Sequence, residues 1–156
     1  MGDDVIDIDP TVVQLEERAA ELLAKPAAIF MPSGTMTNQI ALRVHCQPGD
    51  EFLCESECHI VNYEQGAFAQ LSGLVARTFQ GESGILQLPQ LIEAIRPEGD
   101  HMVHTRLVCL ENTHNRGGGS IQPLESSDAI CQWAHEHGLK THLDGARLFN
   151  AVVATG

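Results

Sequence analysis

The stretch RLVCLENTHN, residues 106–115, joins an apolar run to a polar one with no break between them. Leu107, Val108, Cys109 and Leu110 lack the alternation of a strand with one wet face, so they read as a strand buried on both faces. Glu111, Asn112, Thr113, His114 and Asn115 then form the polar loop at its C-terminal end. The same pattern recurs on both sides of it. AAIFM (27–31) reads as a buried strand leading into Pro32-Ser33-Gly34-Thr35, and EFLCE (51–55) leads into Ser56, Cys58 and His59. LVARTF (74–79) is a further strand, and KTHLD (140–144) ends on Asp144, with Arg147 beyond.

Helical periodicity fills the intervals. Asp9-Pro10 supplies an N-cap and a proline at the first helical position, and Val12, Leu15, Ala19 and Leu22 share one face, so a helix spans Thr11 to Ala24. A second helix runs from the PSGT turn to near Cys46, and a third covers roughly 62–71. Leu88, Leu91, Ile92 and Ile95 mark another, stopped at Pro97. Glu125 to His137 form a helix with Gly138 at its C-terminal cap, and Leu148 to Val153 begin an apolar helix-like run. Strand and helix alternating in this way give an α/β class, a mostly parallel sheet flanked by helices. No repeat and no linker interrupts it, so residues 1–156 are expected to form one domain.

Composition narrows the partners. The chain is 43% hydrophobic and 19% charged, as an ordinary globular protein is, and its formal net charge is -12. With nine scattered basic residues it is no match for nucleic acid or an anionic membrane surface. No apolar run approaches the length of a membrane span, and the acidic start MGDDVIDID is unlike a signal peptide. Five scattered cysteines are an odd number and do not make a disulfide framework, so a reducing, cytoplasmic setting is expected.

In a parallel sheet, ligands bind beyond the C-terminal strand ends, which draws attention to the residues just after each apolar run. Ser33-Gly34-Thr35 opens a helix and suits an anion, or equally a plain N-cap. Cys54, Cys58 and His59, and His135 with His137, superficially resemble metal ligands. There is no C-x-x-C pair, however, and a thiol inside an apolar strand is expected to be an inert buried group. His101 and His104 fall in a loop. Asp144 admits two readings. It caps the following helix while Arg147 pairs on the surface, or it meets a basic nitrogen on a cofactor whose other end carries a phosphate. Pyridoxal 5′-phosphate has both groups.

Taken together, GDDV (2–5), DPTVVQLEERAAEL (9–22), PSGTMTNQIAL (32–42), HCQPGDE (45–51), LENTHNRGGG (110–119) and HGLKTHLDGARLFNA (137–151) resemble the L-threonine aldolases. These form a β-eliminating lyase branch of the fold-type I pyridoxal-phosphate enzymes. The resemblance implies that Ser33, Gly34 and Thr35 hold the cofactor phosphate, that His59 stacks on its ring, and that Asp144 pairs with the ring nitrogen. It places Arg147 near the cofactor hydroxyl or the substrate carboxylate, and His101 near the substrate β-hydroxyl. His59 and His101 are thus the two candidates for proton handling. The implied reaction cleaves threonine or allo-threonine to glycine and acetaldehyde, in a homodimer or homotetramer.

The chain departs from the family pattern at Ile6, where a tyrosine is usual. Its only lysines, Lys25 and Lys140, do not lie in the SLSKG-like context of the family's cofactor-linking lysine. It is therefore expected to be part of the large domain of a longer enzyme and to be inactive alone. The other readings are a β-eliminating lyase or aminotransferase of the same fold, a non-catalytic α/β fragment, and a metal-binding protein.

Overall fold

A computed structural model describes residues 8–156; the GDDV stretch and Ile6 lie outside the described residues. The chain falls into two compact units, one up to Met36 and one from Thr37 to Gly156.

In the first unit, helix α1 spans Pro10–Leu22. The Asp9 carboxylate accepts the Thr11 N–H at 2.8 Å, satisfying one of the amides a helix start leaves open. The expected strand at AAIFM does not form. The segment is extended but joins no sheet, leaving Ile29 and Phe30 exposed, and the Phe30 N–H is taken by the Glu16 carboxylate at 2.7 Å. An apolar run becomes a strand only where a neighbouring strand takes its amides and carbonyls, and none among the described residues does so here. Helix α2, Gly34–His45, opens at the Ser33 turn, where the Ser33 hydroxyl accepts the Met36 N–H at 3.2 Å.

The second unit is built on four parallel strands, β1 (Glu51–Glu55), β2 (Val75–Phe79), β3 (Thr105–Glu111) and β4 (Lys140–Asp144), in the order β2-β1-β3-β4. The two central strands are buried on both faces. Phe52, Cys54, Leu107 and Cys109 pack with Leu42, Ile60 and Leu74 on one side. Leu53, Val108 and Leu110 pack on the other with Leu86, Leu91, Ile130, Trp133 and Leu139. This two-sided burial is why β1 and β3 read as unbroken apolar runs. Helix α5 (Leu124–Glu136) presents Ile130, Trp133 and Ala134 to the second layer, at helical spacing, and Gly138 follows it with φ +75°. Helix α6 (Leu148–Thr155) follows β4.

Two expected helices are altered. The helix over 62–71 is instead α3 (His59–Asn62) and α4 (Ala67–Ser72), parted by Gln65 and Gly66, both with left-handed φ. A right-handed helix cannot run through such a pair. Between Leu88 and Pro97 only a short turn of tight helix, Leu88–Gln90, forms. The Gln87 and Gln90 side chains close that turn as reciprocal caps, and Leu91 and Ala94 are buried without continuing it.

Candidate functional site

From β1 the chain moves to β2 on one side, whereas β3 and β4 lie on the other. The crevice beyond the C-terminal ends of β1 and β3 is therefore the point at which connections diverge, and ligands of open α/β sheets bind at such points. His59 begins α3 just after β1, Glu111 ends β3, and Asp144 ends β4. The Glu111 carboxylate bridges the gap: one oxygen accepts the His59 N–H at 2.6 Å and the other the Asn115 N–H at 2.8 Å. Asn115 in turn accepts the Arg147 guanidinium at 2.7 Å, so Arg147 is tied to the same loop.

Beside this staple lies a polar network. The Glu64 side chain is fully buried and accepts three donors, Asn38 at 2.8 Å, Gln39 at 2.6 Å and His59 Nδ1 at 3.0 Å. With an amide N–H already on each oxygen, Glu64 serves as the acceptor toward His59 as well. His59 therefore carries its proton on Nδ1, which leaves Nε2 free, on a ring 36% exposed. Asp144 receives Asn38 at 2.8 Å on one oxygen and the Ala146 N–H at 3.2 Å on the other. The His142 ring meets the Asn38 oxygen at 2.9 Å, and burial pushes this imidazole below its ordinary pKa against the pull of the Asp144 carboxylate.

His59, Glu64 and Asp144 place one donor atom each within 4.8 Å of one another, a spacing a metal ion would accept. The Asn38 amide nitrogen already donates to both carboxylates, however, and occupies their shared side. The thiols that looked like ligands are buried. Cys54 and Cys109 are both pushed well up, Cys54 by its hydrogen bond with Cys58 and by burial, Cys109 by burial. Beneath the site, Cys58, Ile60, Cys109, Leu110, Glu111, His142 and Asp144 enclose a cavity of about 10 Å³, room for about one water molecule.

His59, Asp144 and Arg147 thus fall into one hydrogen-bonded system. Ser33, Gly34 and Thr35 belong to the turn between the first unit's extended segment and α2. His101 is not part of the system: it sits exposed in the turn before β3, and that strand's seven residues, at about 3.3 Å each, carry the chain some 20 Å to Glu111. Sequence reasoning gave no site role to Asn38, Glu64, Glu111 or His142. Asn38 lies in PSGTMTNQIAL, Glu64 shortly after His59, Glu111 in LENTHN and His142 in KTHLD, but nothing local marks them as partners of His59 and Asp144.

The family model of the beta-eliminating lyases matches residues 1–156. The chain belongs to the beta-eliminating lyase family. It is 45% identical over 160 residues to a probable low-specificity L-threonine aldolase of Arabidopsis thaliana, covering all of this chain and 45% of that protein. It is 41% identical over 157 residues to a low-specificity L-threonine aldolase of Escherichia coli, covering all of this chain and 46% of that one. Among solved structures, a threonine aldolase of Leishmania major superposes with a TM-score of 0.77 at 27% identity, over 93% of this chain and 48% of that one. The chain therefore spans about half the length of the relatives it matches, and it shares the parallel α/β fold of the lyases.

Proposed function

We propose that the protein carrying these residues cleaves threonine and allo-threonine to glycine and acetaldehyde, with pyridoxal phosphate as cofactor. The observation that carries this reading is Asp144 at a strand end within 4.8 Å of the His59–Glu64 pair, in a chain 41–45% identical to low-specificity threonine aldolases. The donor set suits the cofactor's ring. Asp144 has one N–H on each oxygen and keeps acceptor capacity for a protonated ring nitrogen. Bound pyridoxal phosphate supplies an electron sink for the charge left at Cα when the Cα–Cβ bond breaks.

The protein's own residues divide the remaining work. Asp144 holds the proton on the ring nitrogen. Ser33, Gly34 and Thr35 take the phosphate, through backbone amides and hydroxyls at a helix start. His59 covers the ring and accepts the β-hydroxyl proton at Nε2 as acetaldehyde forms, while Glu64 fixes its tautomer. Arg147, steadied by Asn115, offers a fork to the substrate carboxylate. His101 assists at the β-hydroxyl only if a second copy of the chain supplies it, in keeping with a homodimer or homotetramer. A cytoplasmic setting accords with five free cysteines, and no helix among the described residues is long and apolar enough to cross a membrane.

Lys140 opens β4 at the end opposite Asp144, and Lys25 lies outside the SLSKG-like context of the family's cofactor-linking lysine. The isolated chain is thus expected to bind the cofactor without a covalent bond and to release no acetaldehyde. Joining residues 1–156 to the C-terminal remainder of the E. coli aldolase supplies a test. Acetaldehyde from threonine, lost on Asp144→Ala, is the expected result. Pyruvate from serine without acetaldehyde from threonine would assign elimination instead.

A further inference from the structure

Asn38 sits in the second turn of α2, 4% exposed, and every hydrogen bond of its amide given above ends on a titratable side chain. Its nitrogen lies 2.8 Å from Glu64 Oε1 and 2.8 Å from Asp144 Oδ2, and its oxygen lies 2.9 Å from His142 Nε2. The orientation of this amide is decided by chemistry. Ionised carboxylates only accept, so the nitrogen must face them; turned over, the amide oxygen would meet two carboxylate oxygens. The oxygen then requires a donor, and His142 must carry its proton on Nε2. Burial disfavours the charged ring, and the proton this contact requires is the Nε2 proton.

Two carboxylates this close repel, and an N–H donor set between them offsets that repulsion and fixes where each oxygen points. Resting on the reading of Asp144 given above, we propose that Asn38 is a positioning residue for the cofactor's ring. One amide fixes Asp144 and Glu64 in direction, and so couples the group that meets the ring nitrogen to the group that orients His59. Gln39 supports Glu64 from the same helix turn, at 2.6 Å, but does not reach Asp144. Among the described residues, Asn38 alone donates to both acids.

The test uses the 156-residue chain and deoxypyridoxine phosphate, which has the cofactor's phosphate and ring nitrogen but no aldehyde, so no lysine is needed. Affinity and the nitrogen-15 shift of the labelled ring are read for the wild type, Asn38→Asp, Asn38→Leu and Asp144→Asn. Asn38→Asp keeps the shape and replaces the donor by an acid. Each Asn38 variant is expected to weaken binding roughly tenfold or more, the worth of one charge-assisted hydrogen bond, and to move the ring signal toward the unprotonated form. If Asp144→Asn lowers affinity and shifts the ring signal while both Asn38 variants match the wild type, the proposal falls and the reading of Asp144 stands. If Asp144→Asn also changes nothing, or the wild type fails to bind, that reading falls and takes the proposal with it. Should the variants not fold, the wild type decides: nitrogen-15 signals of His142 must show the proton on Nε2, and a proton on Nδ1 instead overturns the proposal.

Discussion

Replacing Glu64 separates the shape of the buried network from its charge. Glu64→Leu leaves the Gln39 amide with no acceptor, removes one of the Asn38 contacts to an acid, and frees His59 Nδ1, which can turn to water because that ring is partly exposed. Each buried donor left unpaired costs about 1–3 kcal/mol, so the leucine variant is expected to lose about 3 kcal/mol. Glu64→Gln should behave differently. Its oxygen can still accept Asn38 and His59, and its new N–H groups need an acceptor near Gln39. The Gln39 Oε1 atom is buried without a partner. A half-turn of the Gln39 amide presents that oxygen to the new donor, and the number of orphaned groups stays the same. The loss should be about 1 kcal/mol, the difference between charged and neutral hydrogen bonds offset by no longer burying a charge. Urea unfolding reads both. A midpoint lowered by roughly 1–2 M for leucine and by under roughly 1 M for glutamine is expected. Equal losses for the two variants would refute the amide rotation and with it the three-donor description of Glu64.

Other consequences follow from the same geometry. Because burial lowers the His142 pKa in the fold, the unfolded chain binds more protons as pH falls below about 6.5, so stability should drop across that range. His142→Gln should flatten the drop in urea midpoints measured between neutral and mildly acidic buffer. An added Cβ at Gly84, φ +81°, would meet the buried His114 ring at 2.3 Å, whereas at Gly118, φ +77°, it would meet nothing within 4 Å. Gly84→Ala should therefore lower the thermal midpoint clearly more than Gly118→Ala, which bears only the backbone cost of about 1 kcal/mol. Burial raises the pKa of Cys46 to about 11, and Cys54 and Cys109 are pushed well up too. A disulfide reagent at neutral pH should label the partly exposed Cys131 first and these three only on unfolding, as a mass spectrum of the labelled chain would show.

The legible parts of this protein are those whose cause is local. EFLCE and RLVCLE carry their two-sided burial in their own composition, and the helix at 124–136 carries its buried face in its spacing. AAIFM has an equally apolar composition and fails as a strand, because a strand is made by its neighbour and the neighbour is not encoded in those five residues. The region 62–71 was readable as helical only until Gly66, whose left-handed backbone divides it. The site shows the same division. His59 and Asp144 could be picked out because each follows an apolar run, and the resemblance then gave them roles. Asn38 meets Asp144 across 106 residues of sequence, and Glu111 meets His59 across 52. No local pattern registers that an amide or a carboxylate will be buried at such a distance. Hence His59 and Asp144 could be singled out as candidates, and the residues that hold them in place could not.

The central claim is that Asp144 and His59 together receive the ring of pyridoxal phosphate. Its most direct test is titration of the chain with that compound, following the His59 ring and the Gly145 and Ala146 amides by nuclear magnetic resonance. Saturable movement of all three sets of signals, lost in Asp144→Ala, is the expected result. Binding that leaves those signals still, or that survives Asp144→Ala by reaction at Lys25 or Lys140, would contradict it.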